Sequence, residues 1–253
     1  MTMTEYEKRE CAARTPETQA GDEAAVNDER AGVYGLLSRL YYEEVDERLI
    51  DEFCETMQVL PLSEDNDELC RLFAQGNNLM VKYLLNRNND TITQLKCDYA
   101  KVFLAAGIYD GRSASPYESV YTGEEHLLMG DARDEIYRLF CQGGIAIQDR
   151  YHMPEDHISF ELQYMELLCK HVSAAIRAGA AQEVVEEGYA QQRAFLLSHL
   201  ANWIPAFCDD IEDLARTAFY RGLGRYTRAW LAAEVEMLAP DRLDMVWREG
   251  GSR

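Results

Sequence analysis

The chain lacks any uncharged run long enough to cross a bilayer. Its longest stretch without Asp, Glu, Lys or Arg is the fifteen residues from Ala194 to Cys208, which include His199 and Pro205. A spanning helix needs about 20 apolar residues. The N-terminus, MTMTEYEKRE, carries charge where a signal peptide has its apolar segment, so the reading is a cytoplasmic chain with no export signal and no membrane insertion. Proline and glycine are scarce, 6 and 16 of 253 residues, which excludes collagenous and Pro/Gly-rich disordered classes. Basic residues are in deficit: 25 Lys and Arg stand against 45 Asp and Glu, a net charge of −20. A surface of that sign repels phosphate backbones, so no nucleic-acid partner is expected, and it attracts cationic ones.

Catalytic and redox signatures are missing as well. The seven cysteines, at 11, 54, 70, 97, 141, 169 and 208, form no CxxC and no tight cluster, as expected of reduced intracellular thiols. GxSxG, the P-loop, GxGxxG and HExxH are absent, and no His has a Glu three residues before it, as a ferritin-like di-iron site requires. Gly222-Leu223-Gly224 lies in a helical run without the rest of a dinucleotide fingerprint. The expectation is a non-enzyme with no cofactor. One alternative stays open: His157 and Glu161 share a helical face at i, i+4 beside Asp156, a spacing that suits a metal-dependent helical-bundle enzyme.

Helical periodicity is what the chain does have. Val33, Leu36, Leu37, Leu40 and Tyr41 form one stripe, which Asn27 is placed to cap. Asp46 caps a second helix carrying Leu49, Ile50, Phe53 and Met57 and stopped near Pro61, and a third follows Ser63. A fourth carries Ile92 to Phe103, and Asp131 opens a fifth that stops at Gly143-Gly144. Another begins about Pro154, with Asp156 as a first-turn acid. Two more cover about 182–213, bent at Pro205, and 215–238. No segment alternates as a strand does. The prediction is an all-α bundle of roughly eight or nine helices. It divides into a flexible acidic tail 1–26, an N-terminal helical subdomain 27–142, a hinge connector 143–154 and a C-terminal helical subdomain 155–253.

Two segments are not explained by packing. One runs CDYAKVFLAAG…SPYESVYTGEEHLLMG over 97–130, an irregular stretch from Gly107 onward; the other is MPEDHISFELQYMELL over 153–168. In order, Tyr99, Phe103 and Leu104, then Pro116, Tyr117, Ser119, Val120 and Tyr121, then Gly130, then Pro154, Asp156, His157, Ile158, Glu161 and Leu162 are similar to the signature of the redox-enzyme maturation chaperones of the TorD/DmsD type, related to NarJ. The stretch LSHLANWIPAFCDDI…AFYRGLGRYTRAWL, with Trp203, Pro205, Phe219 and Tyr220, resembles that family's C-terminal helices.

The resemblance implies an all-helical chaperone, monomeric or a domain-swapped dimer. Its partners would be the twin-arginine leader peptide and the apo form of a molybdenum-cofactor oxidoreductase of the DMSO reductase-like family, held back from export until its cofactor is inserted. It places Asp156 and His157 in the peptide-binding hinge, and Tyr117, Ser119 and Tyr121 in the other signature. Residue chemistry agrees: a cationic, then apolar, peptide needs acids such as Glu155, Asp156, Glu124 and Glu125, and an aromatic surface such as Tyr117, Tyr121 and Phe103. A NarJ-like assembly factor, docking on a non-exported molybdoenzyme subunit, is the neighbouring alternative.

Overall fold

In the computed structural model, residues 16–62, 67–106, 113–146 and 153–246 are described; the rest of the expected tail, Ser63 and residues 147–152 of the connector lie outside them. The described residues form ten α-helices and no strands. They are α1 (Pro16–Tyr42), α2 (Glu47–Thr56), α3 (Glu68–Leu85), α4 (Thr91–Phe103), α5 (Glu118–Thr122), α6 (Asp131–Gln142), α7 (Ile158–Arg177), α8 (Gln182–Phe195), α9 (Ile204–Leu214) and α10 (Ala218–Leu238). A π turn, Leu196–Leu200, extends α8, and a 3₁₀ turn, Pro240–Met245, follows α10. No described helix is long and apolar enough to cross a membrane.

The periodic stripes become the buried faces. Helix α1 packs along α7 and α3 along α10, with α9 against α10. One hydrophobic core joins them, drawing Leu37 and Leu95 from before the connector and Met165, Phe207 and Leu231 from after it. At its centre Phe103 meets Tyr41, Phe207 and Tyr220, with ring centroids 5.5–6.0 Å apart. Gly222 serves packing: a Cβ there would sit 2.7 Å from the carbonyl oxygen of Gly76, and one on Gly76 would sit 2.5 Å from the Tyr226 nitrogen. The α3 and α10 backbones therefore touch only because both positions lack a side chain.

Four expectations are corrected. Helix α1 begins at Pro16 instead of Asn27, so residues 16–26 are helical and not tail. Its inward face there carries Ala24, Asn27 and Arg30, which hides the apolar period. Arg30 bonds Glu234 of α10 through both carboxylate oxygens (2.8 and 2.6 Å), and also Gln192 of α8 (2.7 Å) and Asn27 (3.0 Å). Helix α3 starts at Glu68, capped by Asp67. The stretch expected to be irregular contains α5. Pro205 lies in the first turn of α9, and the bend is the break at Ala201–Trp203.

Candidate functional site

The two unexplained segments meet. Tyr117 and His157 pair as a short antiparallel bridge, flanked by Glu118 N donating to Asp156 O (3.0 Å) and Ile158 N donating to Pro116 O (2.9 Å). This pairing moves the start of α7 from Pro154 to Ile158, with His157 as its cap. Asp156 is thus not a first-turn acid. It is 0% exposed, and its Oδ2 accepts from the Ser119 backbone N–H (2.9 Å) and, in a short bond, from the Ser119 hydroxyl.

His157 is 2% exposed, stacks edge-on with Tyr117 at 5.0 Å, and accepts the Ser159 N–H on Nδ1 (3.2 Å). The Ser159 hydroxyl lies 2.7 Å from the same nitrogen. An imidazole that caps a helix through Nδ1 must keep that lone pair. Burial agrees, lowering its pKa to about 3.

Behind this bridge lies a group of buried acids. Glu118 Oε2 takes a hydrogen bond from His199 Nδ1 (3.0 Å) and its Oε1 one from Asn202 Nδ2 (3.1 Å). Glu161, fully buried on α7, accepts from the Trp203 indole N–H (3.0 Å). Burial first, and then the neighbouring Glu118 charge, hold its carboxyl well above the usual range. The Asp156 charge adds to the effect. Asp156 Oδ1 and Glu161 Oε1 are buried with no donor. Sequence reasoning missed Glu118, His199, Asn202 and Trp203. Glu161 carried a signal, an acid inside the apolar Ile158–Leu162–Met165 stripe.

Outside the bridge the surface is open. Glu155 is already engaged, in a two-pronged pair with Arg133 of α6 (2.5 and 3.0 Å). The Tyr121 hydroxyl bonds Asp210 of α9 (2.8 Å) while its ring packs on Trp203. Glu124 and Glu125 are exposed and form no ion pair with the described residues. After them Leu127, Leu128 and Met129 stand 62%, 50% and 59% exposed. His126 and Met129 bracket these residues with φ of 53° and 66°, left-handed backbone that side-chain-bearing residues rarely adopt. The loop is tied down by Gly130 N–H donating to Ser119 Oγ (3.1 Å) and by His126 Nδ1 at 2.8 Å from Val120 O.

The structure therefore gathers Tyr117, Ser119, Asp156 and His157, with Glu155 on the same turn and Tyr121 on α5. Glu124 sits on the adjoining loop, and Phe103 lies in the interior. The metal alternative gains no geometry. Among the described residues no three His, Cys, Asp or Glu side chains are placed to hold an ion, and the His157 nitrogen is turned to Ser159.

Comparison with known proteins matches residues 62–209, more than half of the chain, to the family model described as nitrate reductase delta subunit. Relatives named "Chaperone protein TorD" align over nearly their whole length. That of Shewanella pealeana is 27% identical over 221 residues, 84% of this chain and 91% of the relative. That of Vibrio cholerae serotype O1 (El Tor Inaba N16961) is 29% identical over 219 residues, 84% and 93%. That of Shewanella piezotolerans is 27% identical over 224 residues, 85% and 95%.

Proposed function

This chain belongs to the nitrate reductase delta subunit family, and on that premise we propose that it is a cytoplasmic maturation chaperone for a redox enzyme, one that binds the twin-arginine leader and the apo form of a molybdenum-cofactor oxidoreductase before export. Its relatives are named chaperones, and in this reading the chain is a chaperone and not an enzyme. The observation that carries the leader-binding reading is the juxtaposition on one loop of two exposed acids, Glu124 and Glu125, with the exposed apolar run Leu127–Met129. A leader has the same order of chemistry: a cationic n-region followed by an apolar h-region.

Each guanidinium–carboxylate hydrogen bond contributes on the order of 1.5–3 kcal/mol where the pair is partly desolvated. Burying apolar side chains of both partners adds roughly 25 cal/mol per Å² removed from water. Asp156 and His157 act in this reading by holding the loop and α5 in place, since both are enclosed.

Calorimetric titration of the full chain with a synthetic Arg-Arg leader peptide, beside its Lys-Lys counterpart, tests it. Saturable binding that weakens with Lys-Lys and with salt is expected, because lysine is a point charge and cannot form the two-pronged pair. Absence of binding to leaders of neighbouring molybdoenzymes would overturn the leader reading in favour of docking on a non-exported subunit.

A further inference from the structure

The chain carries 45 acids to 25 bases, and one surface reverses that ratio. Two open cavities of about 510 and 580 Å³ lie along α3, α4 and the start of α10. They adjoin, since Tyr83, Gln94 and Ala218 line both. Among the described residues their linings carry four bases, Lys82, Lys101, Arg216 and Arg225, against one acid, Asp98. That acid is already engaged: its carboxylate accepts from the Arg216 and Thr217 backbone N–H groups and from the Thr217 hydroxyl (2.7–3.1 Å). Arg225 is paired with Glu212 (2.6 Å), and Lys101 Nζ donates to Leu214 O (3.1 Å). Lys82, Lys101 and Arg216 form no ion pair with the described residues, and Lys82 and Arg216 are exposed.

The wall between these cations has the chemistry of a peptide site. Gln75, Asn78, Leu79, Lys82 and Asn86 line the first cavity from one face of α3 and its cap, at helical spacing. That helix already holds an extended backbone by side-chain amides. Leu60 N–H donates to Asn78 Oδ1 (2.7 Å), Asn78 Nδ2 donates to Leu60 O (2.8 Å), and Asn77 Nδ2 donates to Gln58 O (2.7 Å). An amide side chain offers a passing chain the same donor and acceptor that a neighbouring strand would. From Gln75 to Asn86 the ridge rises roughly 16 Å, the length of about five extended residues. Leu79 and Tyr83 give the groove an apolar component.

We propose that this groove docks an extended acidic segment of the client polypeptide. Lys82, Lys101 and Arg216 meet its carboxylates, and the amides of Gln75 and Gln94 meet its backbone. A cleft lined by one sign of charge concentrates ligands of the other. A nucleic acid fits less well: the net charge of −20 repels a long polyanion, whereas a short segment with alternating apolar residues also gains from Leu79 and Tyr83. That the segment belongs to the client rests on the maturation-chaperone reading; the groove's preference for acids does not.

Fluorescence anisotropy of the full chain with a labelled Glu-Leu-Glu-Leu-Glu peptide, beside its Gln-Leu counterpart, tests the proposal. The Glu-Leu peptide is expected to bind at least about tenfold more tightly at low salt, and the gap is expected to narrow as salt rises. The double variant Lys82→Gln, Arg216→Gln changes two exposed side chains, so its urea midpoint should match wild type. It is expected to lose about tenfold in affinity for the Glu-Leu peptide and to keep its affinity for an Arg-Arg leader within about twofold. Equal binding of the Glu-Leu and Gln-Leu peptides, or a double variant that binds the Glu-Leu peptide as wild type does, would overturn the proposal. An oligouridylate that binds where the Glu-Leu peptide does not would overturn it in favour of nucleic acid. A chain that binds the Glu-Leu peptide and no Arg-Arg leader would overturn the leader reading and leave the groove's preference standing.

Discussion

Two of the buried polar clusters in this bundle are built on opposite plans. At the α1–α8–α10 crossing, Arg30 faces Glu234 with both carboxylate oxygens engaged. Asn27, Gln192 and the Tyr34 hydroxyl (2.9 Å from Glu234 Oε2) complete the set. Burial opposes the Arg30 charge, but Glu234 outweighs it and keeps the guanidinium protonated. At the α5–α7 junction three acids share the enclosure with two imidazoles and, among the described residues, no bonded lysine or arginine, and two oxygens have no donor. The first cluster is charge-balanced and closed. The second is charge-deficient, and it adjoins the signature segments and the exposed loop. The second leaves enclosed acceptors, Asp156 Oδ1 and Glu161 Oε1, without donors.

The largest test of this contrast is Arg30→Met. It strands Glu234 in the core and is expected to cost about 3–5 kcal/mol in urea denaturation. A loss under about 1 kcal/mol would erase the distinction between the clusters. The junction should respond to pH instead. His157 has its folded pKa lowered from 6.5 to about 3, so the unfolded chain binds more protons between those values and stability falls as pH drops through that window. At about 1.4 kcal/mol per unit the effect is of comparable order. Replacing His157 with Asn, which caps a helix but does not titrate, is expected to remove this acid limb from a plot of urea midpoint against pH.

Glu161 runs the other way. Its folded pKa is raised, so the native state holds the extra proton and stability falls as pH rises above the ordinary carboxylate range. Glu161→Gln is therefore expected to be more stable than wild type at pH 8, by roughly 1–3 kcal/mol, and little changed at pH 5. A uniform loss at both values would place Glu161 among purely structural groups. The smallest stability effect is expected on the surface loop. Leu127→Ser with Met129→Ser should change stability by no more than about 0.5 kcal/mol. The same pair should weaken leader binding by about tenfold or more, as lost apolar burial requires.

Much of this architecture is legible in the sequence because leucine and aromatic stripes at helical spacing report buried faces directly. Helices α2, α4, α6 and α10 lie within a few residues of where their stripes place them. The start of α1 is not legible because its inward face there is Ala24, Asn27 and Arg30, and only a partner helix makes such residues core. The early start expected for α7 fails because the Tyr117–His157 pairing, a contact across forty residues, claims the backbone of 154–157.

The candidate site was half visible. Tyr117, Ser119, Asp156 and His157 stand out by motif, while Glu118, His199 and Asn202 join only through tertiary packing. Phe103, similar in sequence to a groove aromatic, is drawn inward by Tyr41 and Phe207.

Hydrogen exchange of the full chain, with and without a saturating Arg-Arg leader peptide, tests the central claim most directly. New protection concentrated in residues 118–130 and 154–161, with α3 and α10 unchanged, is the expected result. Protection confined to α3 and α10, with the junction and its loop unaltered, would contradict it.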